Sequence, residues 1–449
     1  MRVAWIVLIM SVISGAGLAQ PQPLSLPQAV AIALERSPQR KASLAENRTA
    51  RASVKEAQAA YLPRLTFSET AVASNDPVFV FGTRLRQNRF TAADFALNQL
   101  NNPAAIGNFA TRIGFQWTAF DSFLNRANTR QAASEKAASD QRLAHADQLV
   151  IFHVVQAYYG VLFASKQLEV AEHAANTAKA VMEQSQARFQ AGSTVESDYL
   201  LAQVDDAARR QELVKARNAL ALAQAQLNLA MGVGADHEYE LAGPATPPVL
   251  EPPALADAES RALKERPDLK ETTQQVAVRQ AGVDAAKSAF GPRVNVFGGG
   301  EADNVNFFGN GGTNWTVGAE LQFDIFAGGQ KKARLEREHA GLDQAQALRQ
   351  AAQDNVRLEV RRAWYDLDSA RQSVEINRMA AEQAEEALRI VSNRYQAGMT
   401  TITEMLRSED SARTARTNYW EAVYRLSASY AALELAMGVL TPQSPAVQP

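Results

Sequence analysis

Arg188-Phe189-Gln190-Ala191-Gly192 recurs 206 residues later as Arg394-Tyr395-Gln396-Ala397-Gly398. At the same offset Leu229-Ala230-Met231-Gly232-Val233 recurs as Leu435-Ala436-Met437-Gly438-Val439, Ala157-Tyr158-Tyr159 as Ala363-Trp364-Tyr365, and Phe120 as Phe326. One gap-free register therefore joins Phe120 to Val233 with Phe326 to Val439. Upstream the offset becomes 229, aligning Leu34 to Pro38 with Leu263 to Pro267 and Tyr61-Leu62-Pro63-Arg64 with Phe290-Gly291-Pro292-Arg293. The first copy thus carries 23 additional residues between Pro63 and Phe120. A fixed long period marks one supersecondary unit used twice, and it sets the fold.

Working outward from the repeated turns, proline is absent from Ala104 to Gly243 and from Arg293 to Thr441, so both stretches accept long helices. Val150, Val154, Ala157, Val161, Ala164 and Leu168 form an apolar seam repeated by Val356, Val360, Ala363, Leu367, Ala370 and Val374. A second seam, Ala381, Ala384, Leu388, Val391 and Tyr395, matches Ala175, Ala178, Met182, Ser185 and Phe189. Heptad-like spacing of this length predicts coiled-coil packing. Helices are expected at about 27–36, 38–60, 125–190 and 195–232 in the first copy, and at about 254–265, 267–290, 331–396 and 401–438 in the second. Pro38 and Pro267 should interrupt the shorter ones.

Trp315, Val317, Ala319, Leu321, Phe323 and Ile325 alternate with polar or small residues, as do Phe109, Thr111, Ile113, Phe115, Trp117 and Ala119. Alternation over about eleven residues fits a bilayer-crossing strand with one face to lipid and one to water. Strands are expected at about 62–73 and 108–120, and at about 292–302 and 313–326, the third thinned by Gly298-Gly299-Gly300. Four strands close no barrel, and an open edge is not tolerated in lipid, so subunits must pool strands. Two chains would give eight and three twelve; a barrel of about eight is filled by its own side chains, so an open conduit favours the larger count. The expected class is mainly α with a membrane β-barrel contribution, built from two structural repeats of long coiled-coil helices and β-hairpins.

The N-terminus reads as a signal peptide, 1–19: Arg2, an apolar run from Val3 to Ile13, then small residues from Gly15 to Ala19. The first repeat follows at 20–242, a stiff Pro-rich linker at 243–253, the second repeat at 254–440 and a tail at 441–449. With no cysteine, stability comes from packing without disulfides. A formal charge of −2, from 46 basic and 48 acidic residues, gives no footprint for nucleic acid. His145, His153, His173, His237 and His339 lack metal-ligand spacing, and no HExxH, phosphate loop or G-x-S-x-G occurs, so no catalytic residue, cofactor or metal is expected. The long segment from Asn75 to Asn108, with Phe79, Phe81, Phe90 and Phe95, reads as a plain surface loop.

The paired strand–long-helix repeats, the two Ala-Gly turns and the Leu-Ala-Met-Gly-Val helix ends resemble the TolC-like outer-membrane efflux protein family. That resemblance covers essentially the whole mature chain. It implies a homotrimer whose twelve-stranded barrel lies in outer-membrane lipid and continues as a helical tunnel through the periplasm. It also implies a periplasmic adaptor and an inner-membrane pump as partners, with the subunit a passive conduit. By the same resemblance Ala191, Gly192, Ser193, Ala397, Gly398 and Met399 form the periplasmic tip and adaptor contact. Asp198 and Glu404, six residues past each glycine, would form an anionic pore constriction; as plain helix chemistry they are first-turn acids favoured by the dipole. Nine residues past the glycines, where the family can place a second acid, stand Leu201 and Arg407. The alternative from another class is a periplasmic coiled-coil adaptor or scaffold without a pore. The alternating aromatic strands speak against it.

Overall fold

The computed structural model describes residues 23–235, 237, 239–243, 251–307, 309 and 311–448. The expected signal peptide and most of the Pro-rich linker lie outside the described residues. Along the chain the elements are α1 (Leu26–Arg36), α2 (Pro38–Ala59), β1 (Arg64–Ser74), α3 (Pro77–Arg86), a 3-10 turn (Ala92–Phe95), α4 (Leu97–Asn101), β2 (Ile106–Phe120), α5 (Leu124–Gln190) and α6 (Glu196–Met231). The second copy follows with α7 (Leu255–Glu265), α8 (Pro267–Ser288), β3 (Arg293–Asn304), β4 (Gly312–Gln322), α9 (Gln330–Gln396) and α10 (Ile402–Ala436). Both α5 and α9 have 67 residues, roughly 100 Å of helix. The chain divides into two units. A helical unit holds the residues up to Lys41, His145–Arg266 and those from Val356 on; a sheet unit holds Ala42–Ala144 and Pro267–Asn355.

In the helical unit the first seam is the core. Val150, Val154, Val161 and Ala164 are at most 5 % exposed, and Val356, Val360, Leu367 and Ala370 at most 3 %. Each large aliphatic side chain so placed contributes about 1.5–3 kcal/mol over an exposed one. Two aromatics at equivalent positions tie down the chain entering each copy. Tyr158 donates to the carbonyls of Leu24 (3.0 Å) and Ala242 (2.5 Å), which themselves sit beside the Leu24–Leu241 bridge, and Trp364 donates to the carbonyl of Pro253 (2.9 Å). Burial pushes the Tyr158 hydroxyl up to about 12, so it remains a donor. The C-terminal segment is docked, not trailing: Leu440, Ala446 and Val447 are buried.

The sheet unit is an antiparallel meander in the order β1-β2-β3-β4. Its register aligns Leu65, Phe115, Gly298 and Val317 on one row and Phe67, Ile113, Gly300 and Trp315 on the next. The intervening rows, Ser68-Arg112-Glu301-Asn314 and Thr66-Gly114-Gly299-Thr316, face the other way. The glycine run does not weaken β3, which pairs along both sides; a Cβ at Gly298 would fall 2.7 Å from the Phe115 ring, so the missing side chain makes room for the aromatic. β4 stops at Gln322 because its partner begins opposite at Arg293, which leaves Phe323 and Ile325 beyond the strand and corrects the expected end at 326. Beneath the sheet α2 and α5 are joined by Asn47, which donates to Asp140 at 2.7 Å.

The segment 75–108 is not a plain loop. Asp76 caps α3, accepting from the Phe79 amide at 2.8 Å, and Pro77 supplies a preset first turn. Phe81 and Phe90 meet edge to face at 4.9 Å, and Phe90 and Phe95 at 5.1 Å. An Arg84–Asp94 ion pair closes the small fold. The phenylalanines form an edge-to-face chain in a small folded unit whose buried side chains include Val80 and Thr83.

Candidate channel surface and tip turns

The two repeated turns are built alike. Gly192 has φ +70° and Gly398 +74°, where a residue with a Cβ is strained. Ser193 N–H bonds the Arg188 carbonyl (2.9 Å) and Gly192 N–H that of Phe189 (2.9 Å); Met399 and Gly398 do the same to Arg394 (2.8 Å) and Tyr395 (3.0 Å). These are Schellman closures of α5 and α9. Ala191, Gly192, Ser193, Ala397, Gly398 and Met399 are all exposed.

The acids after them are placed by local capping. Thr194 Oγ1 donates to Asp198 at 2.8 Å, and Thr400 donates to Glu404 four residues on in the same way. Thr401 caps α10, its hydroxyl accepting from the Glu404 amide at 3.3 Å. Both carboxylates lie in the first turn of a helix, where the unpaired amides favour negative charge. Asp198 is half-buried and Glu404 exposed.

Beside the turns, the copies pack on each other unequally. Tyr395, Val181, Ala202, Ile402 and Met405 form one cluster. The Tyr395 hydroxyl is 3.4 Å from that of buried Ser185, and the Arg188 guanidinium lies over its ring at 5.1 Å. Its counterpart Phe189 is expected from the spacing in the same seam, yet it is 38 % exposed and stacks on Tyr199 at 6.0 Å. The second seam therefore holds through Ser185 and ends there, because only the second-copy aromatic turns inward.

Further along the helices lies a charge network that motif reading missed. Arg209 reaches Asp205 (3.1 Å) and Glu212 (2.9 Å) on its own helix and Asp410 (3.4 Å) on α10. Arg413 bridges Asp410 (2.6 Å) and Glu212 (3.7 Å). Glu409 is held among them, one carboxylate oxygen buried without a hydrogen bond. Burial, then the Asp205 charge, pushes its carboxyl up to about 7 against the opposing pull of Arg209 and Arg413. Spacings of four between Asp205 and Arg209 and of three between Asp410 and Arg413 were the available signal.

The sheet presents a membrane-type surface. Leu65, Phe67, Trp315, Val317 and Leu321 are 64–81 % exposed on one face, while the other carries Ser68, Arg112, Glu301 and Asn314. At the strand–helix junctions Tyr61, Phe120, Phe290, Phe323 and Phe326 are 40–88 % exposed, an aromatic girdle of the kind found at a bilayer interface.

The model of the outer membrane efflux protein family matches residues 29–233 and 259–439, one stretch per copy. The chain belongs to that family. Among curated relatives, Protein CyaE of Bordetella pertussis is 26 % identical over 423 residues, covering 93 % of this chain and 84 % of that protein. Alkaline protease secretion protein AprF of Pseudomonas aeruginosa is 24 % identical over 428 residues, covering 91 % and 83 %. The solved CmeC outer membrane channel of Campylobacter jejuni superposes with a TM-score of 0.78 at 16 % identity, covering 100 % of this chain and 96 % of that one, and shows the fold. This efflux protein is accordingly an outer-membrane channel subunit, and the scaffold alternative finds no support in either the family or the apolar sheet face.

Proposed function

We propose that three copies of this efflux protein pool their sheets into a twelve-stranded barrel and their helices into a tunnel, serving as the passive conduit of a tripartite export system. The observation that carries this reading is the sheet itself: four strands, an apolar face exposed along its length, and β1 and β4 each paired on one side only among the described residues. Such edges need partners in hydrocarbon, and identical copies supply them. Exposed apolar side chains in the helical unit favour the same assembly. Leu222 and Leu229 on α6 are 61 and 78 % exposed, and Leu358, Tyr365 and Ile376 on α9 are 59–67 % exposed. A groove of about 550 Å³ beside Leu229, lined also by Pro38, Val150 and Ala157, offers such a side chain a seat.

In this reading the exposed Ala191–Ser193 and Ala397–Met399 turns are the periplasmic tip that meets an adaptor coupled to an inner-membrane pump. Asp198 and Glu404, three copies of each, make the narrow end anionic. Names among the relatives span alkaline protease secretion and cation efflux, so cargo choice is assigned to the pump. The test is native mass together with single-channel conductance of the detergent-extracted protein in a planar bilayer. A trimer forming cation-selective pores that widen and lose selectivity in Asp198→Ala/Glu404→Ala supports both assembly and gate. A monomer that never inserts would overturn the assembly, and unchanged pores in the double variant would overturn the gate alone.

A further inference from the structure

The connection between β1 and β2, where the first copy carries its 23 additional residues, forms a folded cap, and the cap is fastened to one particular side of the sheet. Its underside is polar and buried. Gln87, 4 % exposed, donates from Nε2 to the Gly107 carbonyl (3.0 Å), to Asn108 Oδ1 (2.9 Å) and to the Asn304 carbonyl (3.3 Å). Asn108 in turn donates to the fully buried Asp303 at 2.6 Å. Arg86, at the end of α3, lies 3.6 Å from Glu301, the carboxylate that also binds Arg112. A Cβ on Gly312 would strike the Arg86 carbonyl, so cap and β4 meet backbone to backbone.

The register decides which side this is. Arg112, Glu301 and Asn314 share one row and Ala110, Asp303 and Gly312 the next, both on the polar face opposite Phe67, Ile113 and Trp315. In a closed barrel that polar face lines the water-filled interior. The cap is also a folded body, held by the Phe81–Phe90–Phe95 ring contacts and the Arg84–Asp94 ion pair, with Val80 buried. We propose that residues 75–103 are an outer constriction of the channel, a cap seated on the pore side of each subunit's sheet and locked there by Gln87 and the Arg86–Glu301–Arg112 chain. The inference rests on the trimeric channel reading. Each subunit contributes one cap, so three surround the mouth and set the size of what passes it, apart from any restriction at the tip.

The absence of cysteine makes the test direct. Thr316→Cys places one thiol on the polar face, deeper in the sheet than Glu301, and Val317→Cys places one on the apolar face. Intact cells are treated from outside with a small charged maleimide and with a maleimide on a long polyethylene glycol chain. The small reagent is expected to label Thr316→Cys and the large one to fail. Adding Gln87→Ala with Arg86→Ala, or replacing 77–101 by a short glycine linker, should abolish that protection at unchanged outer-membrane level. Two independent openings guard against one variant misfolding. Equal labelling by both reagents with the cap intact, or protection that survives both openings, overturns the cap. If the small reagent fails at Thr316→Cys in every background, the polar face is not water-filled and the channel reading falls together with the cap.

Discussion

The tip turns at Gly192 and Gly398 and the helix-end turns at Gly232 and Gly438 have the same local geometry and different surroundings. Their φ angles are 70, 74, 69 and 74°, and each is followed by an amide bonded five residues back, Val233 to Asn228 (3.0 Å) and Val439 to Glu434 (2.9 Å) at the helix ends. Around the tip glycines nothing would lie within 4 Å of an added Cβ. At Gly232 the Arg36 carbonyl group would be 3.0 Å away, and at Gly438 Arg266 Cα would be 2.5 Å away. Arg36 and Arg266 end the short helices α1 and α7, so each long return helix closes with its glycine pressed on the end of a short one. One pair of turns is anchored by backbone contact. The other is open surface, as a docking or gating tip requires.

The largest effect should follow from filling the anchored turn. Gly438→Ala adds positive-φ strain of about 1–2 kcal/mol to a clash with backbone that cannot swing aside, together about 3–5 kcal/mol. Gly398→Ala should cost the strain alone, about 1–2 kcal/mol. Thermal unfolding in detergent, followed by circular dichroism, separates them. Equal losses would mean that the two regions are not different after all.

The comparison sharpens three residues before each tip glycine. Tyr395→Ala empties a site that is 8 % exposed and strips partners from Ser185 and Arg188, so a loss of about 3 kcal/mol is expected. Phe189→Ala removes a ring that is 38 % exposed and stacked on Tyr199, a loss of about 1 kcal/mol. Proteolysis near the turns should be accelerated by the first and barely altered by the second. A tip equally sensitive to both would show that the copies contribute symmetrically.

Periodicity revealed the repeat, the seams and the four strands because 3-4 spacing reports the buried face of a helix, as at Val154 and Val360, and alternation separates the two faces of a strand, as at Phe67 and Trp315. The Pro38 and Pro267 interruptions were legible for the equally direct reason that the ring blocks a helical bond. What could not be read was tertiary in origin. Phe189 and Tyr395 occupy equivalent positions, and only the packing around each decides which turns inward. Gly192 and Gly438 satisfy the same turn rule and differ only in what backbone lies beyond. The cap escaped because Gln87, Asn108, Asp303 and Asn304 meet from places 217 residues apart at the extreme, with no shared spacing. Asp198 and Glu404 were found by register, and their capping by Thr194 and Thr400 shows why an acid suits each position whether or not it lines a pore.

Two carboxyls on α10 extend the comparison along one helix, Glu409 toward the tip and Glu434 at the anchored end. Burial pushes each up to about 7 from an ordinary 4.5; Glu409 is flanked by Asp205, Arg209, Asp410 and Arg413, Glu434 by Ser444, Ala446 and Arg261. A carboxyl raised by folding favours the folded state while protonated, so its contribution is complete below the unfolded value and is lost as pH rises through about 7. The unfolding midpoint should therefore fall between pH 5 and 8, in part through these two protons. Glu409→Gln keeps the neutral form at every pH. It should match the parent near pH 5, exceed it near pH 8 and remove about half of that shared slope, with Glu434→Gln removing the rest additively because the sites lie roughly 37 Å apart along the helix. A Glu409→Gln protein that keeps the parent's full pH profile would mean that Arg209 and Arg413 already hold the carboxylate charged. The network near the tip would then be an ordinary ion-pair lattice rather than a strained one.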